Sequence, residues 1–171
     1  MSWQSLRLVL DRLYFAAGII ASLFLLVMLL LIVVQMGARW TGTTFRGAPD
    51  YAGYCMAAAS FFAFAHALNA GAHIRVSILL NALGPRGHWL DVWCFLIGSV
   101  ASTYLAWYAI RAVRWSYKFH DISQGQDATP LWIPQLSMAL GSVLLAVCFW
   151  DNLIRLLATR RHNIVTDNVL H

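Results

Sequence analysis

Four long stretches of this chain are apolar without interruption. Leu13–Ala38, Tyr51–Ile74, Val92–Ile110 and Ala128–Trp150 contain no Asp, Glu, Lys or Arg. Each is close to or above the roughly 20 residues that a helix, rising about 1.5 Å per residue, needs to cross a hydrocarbon core about 30 Å thick. None alternates with a period of two, which disfavours a membrane barrel. The pattern predicts an all-α integral membrane protein forming one membrane domain over residues 1–171, with four transmembrane helices near 13–38, 51–72, 90–110 and 131–151. A fifth apolar segment, residues 73–83, ends at Gly84-Pro85 and is too short to span. His73, Ser77 and Asn81 fall on one polar stripe of it, with Ile and Leu around the rest. That spacing predicts a short interfacial amphipathic helix between the second and third spans.

The residues that punctuate the spans agree with those boundaries. Trp40, Trp89, Trp93, Trp107, Trp115 and Trp150 stand near span ends, where an indole keeps its body apolar and its N–H wet. They are expected to act as interfacial anchors. Asp50 is expected to cap the second helix, and Pro134 to sit in the first turn of the fourth, where a missing N–H costs little. The first apolar run is longer than a signal-peptide core and lacks a small-residue cleavage site, so it is expected to stay as an anchor. Small residues recur in the second span at Gly53 and Ala57, in the third at Gly98 and Ser102, and in the fourth at Ser137 and Gly141. Such spacing lets helices approach closely, within this chain or against another.

Composition removes the remaining soluble readings. Hydrophobic residues make up 60% of the chain and charged ones 11%, where a soluble domain carries about 25% charged. The formal net charge is +5, all seven acids are Asp, and eleven of twelve bases are Arg. Seven bases fall before the first span, between the second and third, and after the fourth; five fall on the other side. The positive-inside rule then places both termini in the cytoplasm by a thin margin.

Candidate chemistry is sparse. Polar groups inside spans are expensive and usually functional, and the main candidates are His66, Asn69 and Gln35. His66 could serve a four-helix membrane haem or electron-transfer protein, but no second His stands at similar depth on a facing span. Cys55, Cys94 and Cys148 lie singly on three spans and read as small apolar residues. No metal spacing, phosphate loop or nucleophile motif occurs, and nothing points to a nucleic acid. The absence of Glu disfavours a small antiporter built around a buried Glu. Neither an enzyme nor a self-sufficient ion-coupled carrier is expected; a homo-oligomeric channel is a further alternative. If the third helix continues past Ile110, Arg111, Arg114 and Lys118 form a basic stripe at i, i+3 and i+7, with Asp121 placed to pair with Lys118. Two readings stand for the stripe: lipid-headgroup anchoring and a docking surface for another protein.

Two motifs then suggest a family. Asn69-Ala70-Gly71-Ala72-His73-Ile74-Arg75-Val76 resembles the G-x-H-I-x-V segment of small membrane subunits of TRAP transporters, the DctQ type. Thr129-Pro130-Leu131-Trp132-Ile133-Pro134 resembles that family's aromatic-Ile-Pro opening of its last helix, and Asp91 just ahead of the third apolar run also matches. Ser77 stands where an Asp often follows the first motif, and Gln135-Leu136-Ser137-Met138-Ala139 lacks a common Pro-Val-Gly turn. The resemblance covers roughly residues 10–155. It implies a scaffold subunit of a sodium-coupled, tripartite uptake system for an organic acid in the bacterial inner membrane. Its implied partners are a large membrane subunit, a periplasmic substrate-binding protein that docks transiently, and the lipid bilayer. Gly71, His73, Ile74, Arg75, Val76, Asp91, Trp132 and Pro134 become candidate partner contacts. No cofactor or metal is implied in this subunit, sodium coupling belongs to the large one, and a bound phospholipid is compatible with the plan.

Overall fold

In a computed structural model, which describes residues 3–43, 45–69, 87–125 and 128–159, the chain forms four helices. They are α1 (Trp3–Trp40), α2 (Ala48–Asn69), α3 (Gly87–Phe119) and α4 (Trp132–Thr159). All four are long and apolar enough to cross a membrane, over Leu8–Trp40, Ala48–Asn69, Val92–Phe119 and Trp132–Leu157. Among the described residues there is no strand beyond one isolated bridge, Ile122 to Pro130. The helices overrun the charge-free stretches because polar and charged residues at membrane ends still satisfy their backbone within the helix. The expected interfacial helix at 73–83, with Gly71, His73, Ile74, Arg75 and Val76, lies outside the described residues.

Packing sets a lateral order of α1, α2, α4, α3. Tyr14, Ala17 and Ala21 form the buried row of α1 and meet Phe62, Ala65 and Leu68 of α2. Phe24 stacks on Phe62 with ring centroids 6.2 Å apart. Between α2 and α4 the approach is closer: a Cβ at Gly141 would lie 2.6 Å from the Phe61 Cβ and 2.7 Å from its carbonyl carbon. Phe95, Leu153 and Leu156 join α3 to α4, and the Gly98 notch receives the Phe149 ring. Ser99 and Ser102 are buried in α3 and donate to backbone carbonyls of their own helix, Ser99 to Phe95 at 2.7 Å and Ser102 to Ser99 at 3.1 Å. Glycine and serine thus replace bulk where lipid offers no hydrophobic drive between helices. Of the small positions singled out in the sequence, Gly98, Ser102 and Gly141 pack within the chain, while Gly53 and Ala57 face outward.

Helix ends follow from local chemistry. Gly42 takes a positive φ of 74°, and Thr43 N–H donates to the Ala38 carbonyl at 3.0 Å, which closes α1. The α2 start differs from expectation. The helix begins at Ala48, with Gly47 at φ 85° and its carbonyl accepting from Tyr51 N–H at 3.1 Å. Asp50 therefore sits inside the first turn instead of capping from outside, still at the positive end of the helix dipole. Pro134 occupies the first turn of α4 as expected, where Ile133 and Gln135 N–H reach Pro130 and Leu131 carbonyls.

Candidate functional site

Three clusters concentrate the polar chemistry. The first is the α3–α4 connection and the end of α3. His120, at φ 53°, stops the helix, and Asp121 N–H donates back to the Ser116 carbonyl at 3.1 Å. Chain direction then reverses in a hairpin, with Ser123 N–H on Thr129 O at 2.8 Å and Leu131 N–H on Asp121 O at 2.9 Å. The hairpin is clasped to α2. Tyr54 donates to Ser123 Oγ at 2.7 Å, and Thr129 Oγ1 donates to the Tyr51 hydroxyl at 3.2 Å. Gly125 rests so close to the Asp50 carboxylate that a Cβ there would collide with it. The ties of Tyr54 to Ser123 and of Tyr51 to Thr129 were not legible in the sequence, since the partners are 69 and 78 residues apart with no motif linking them.

Because α3 does continue to Phe119, Arg111, Arg114 and Lys118 share one exposed face. The Arg111 guanidinium lies over the Trp115 ring at 5.7 Å, and the Lys118 ammonium lies 6.0 Å from the Phe119 ring. Asp121 does not close onto Lys118 as expected; its backbone is committed to the helix cap, which turns the chain away. Trp107 and Tyr104 continue the same face toward mid-helix. Trp40, Trp89, Trp93, Trp107 and Trp115 are all exposed. Trp150 departs from a pure anchor: α4 runs nine residues beyond it, and its Nε1–H donates to Thr103 Oγ1 of α3 at 3.0 Å. Trp132 is half-buried against Tyr117. The Asp91 side chain lies outside the described residues.

The second cluster is His66. A Cβ on Gly18 would stand 2.9 Å from His66 Cγ, so the imidazole fills the notch that glycine leaves in α1. Phe15 meets it edge-on at 6.5 Å. On the α1 side this seat has no room for a macrocycle, and among the described residues no group of three His, Cys or Asp could hold a metal ion. His66 is a packing residue at the α1–α2 seam.

The third cluster lies on α4. Arg155, one of the bases counted after the fourth span, is 5% exposed and pairs with Asp151 at 3.3 Å. Asn152 is fully buried beside them and donates to the Cys148 carbonyl at 2.8 Å. Tyr14 of α1, also fully buried, packs against Cys148 behind α2. The signal was present as i, i+4 pairs on α4, Cys148 with Asn152 and Asp151 with Arg155. Such a buried pair is stable only with good geometry and further hydrogen bonds.

Residues 28–159 match the family described as tripartite ATP-independent periplasmic transporters, DctQ component. The chain belongs to the DctQ family. No curated protein matches it. A DctQ component is part of a transporter and not of an enzyme family, so this is a multi-pass membrane protein that works with the other components of a tripartite system.

Proposed function

We propose that this DctQ chain is the static small subunit of a sodium-coupled, binding-protein-dependent importer of an organic acid. It sits in the bacterial inner membrane with both termini in the cytoplasm, packed beside a large membrane subunit. The observation that carries this reading is where charge lies in a chain of this family. Charged side chains gather toward the helix ends, and one of the few drawn inside, Arg155, is locked to Asp151 on its own helix. Helix seams are made of Gly, Ala, Ser and aromatic rings in close contact, which suits an element held fixed while another moves. The coupling ion and the substrate belong to the large subunit on this reading. Co-expression tests it: the chain should co-purify with a large polytopic partner, and sodium-driven uptake should need both together with the binding protein. Loss of co-purification from intact membranes would contradict it.

A further inference from the structure

We propose that the outward face of α3 from Tyr104 to Lys118 is a binding site for the headgroup of an anionic phospholipid. Depth is the first argument. Tyr117 meets Trp132, the first residue of α4, with ring centroids 5.8 Å apart. Arg111 lies six residues earlier, about 9 Å further down the helix axis. The charge-free part of α3, Val92–Ile110, is about 28 Å of helix and so fills a hydrocarbon core of about 30 Å. Arg111, Arg114 and Lys118 therefore occupy the headgroup layer, on the flank of the helix and below the clasped hairpin.

Position is the second argument. In the order α1, α2, α4, α3, the third helix is an edge, and among the described residues no helix lies beside this face. Tyr104, Trp107 and Tyr108 are 64%, 68% and 48% exposed directly below the cations, and Trp115 is 52% exposed among them. Tyr104 and Tyr108 rings lie 4.5 Å apart and make a continuous aromatic surface. The face thus passes from cation to aromatic to aliphatic, through Val100 and Ile97, in the sequence of an amphiphile's own parts. Two guanidinium groups can each grip phosphate oxygens in a fork, and the ammonium adds a point charge. Acyl chains lie along the rings. A soluble protein seated on the hairpin would not reach Arg111 without entering the bilayer.

The site needs only this chain in a membrane, so its test is independent of the scaffold reading. The purified full chain is mixed with phosphatidylglycerol or phosphatidylcholine in micelles, and retained lipid is counted by native mass spectrometry. Wild type should retain phosphatidylglycerol preferentially, and R111Q/R114Q/K118Q should lose that preference on the order of tenfold. R111K/R114K, which keeps the charge but removes both forks, should lose part of the preference and less than the triple variant. If the triple variant does not purify, R114Q alone should show a partial loss. Undiminished preference in either neutral variant would overturn the proposal. So would an unchanged lipid profile accompanied by weaker capture of a binding protein, which would make the stripe a protein docking surface.

Discussion

Gly141 and Gly53 lie on neighbouring helices, yet a methyl group added to each has opposite consequences. At Gly141 it would stand 2.7 Å from the Phe61 backbone, which cannot swing aside, whereas at Gly53 nothing lies within 4 Å. Gly141→Ala should destabilise the chain by about 2 kcal/mol through overpacking. Gly53→Ala should stabilise it by up to about 1 kcal/mol through helix propensity. Denaturation in mixed micelles reads both, and equal effects would refute the packing assigned to α2 and α4. Arg155 gives a second contrast. Arg155→Ala leaves Asp151 half-buried without its ion pair and should cost about 3 kcal/mol. Arg114→Ala, on an exposed face, should stay within about 0.5 kcal/mol in the same assay.

At the scale of elements, residues 121–125 and 128–131 are tied to α2 through Tyr54 and Tyr51. Tyr54→Phe removes the hydrogen bond to Ser123 at little change in volume, at a cost of about 1 kcal/mol. Amide exchange across residues 121–125 should then speed up about fivefold, leaving α3 unaffected. Unchanged exchange would mean the clasp does not hold the hairpin. The spans were legible because unbroken apolar runs of that length have few alternatives, and the Pro134 start because its chemistry is local. The ends of α1, α3 and α4 were not, since a membrane helix continues through polar residues once its backbone is satisfied. Nor was the order α1, α2, α4, α3, because helices apolar on nearly every side carry no stripe that names a neighbour. Burial of Arg155 was not legible for a related reason: a base just past an apolar run looks the same whether it snorkels outward or folds onto Asp151. The seat of His66 on Gly18 was not legible either, because it needed the three-dimensional contact.

At the scale of the whole molecule, the described residues form an array of four helices with polar ties at both ends and close-packed small residues between. α1 turns a broad aliphatic face outward, including Leu23, Leu26, Leu30 and Val33, which suits lipid. On the proposed function this subunit holds while another subunit carries, so its packing stays fixed through transport. Proteoliposomes containing the large subunit, with and without this chain, test it most directly when given binding protein, substrate and an inward sodium gradient. Uptake is expected only when this chain is present, with an unchanged dependence on sodium when Arg155 and Asp151 are replaced together by Gln and Asn in a folded variant. Full sodium-driven uptake by the large subunit alone would contradict it.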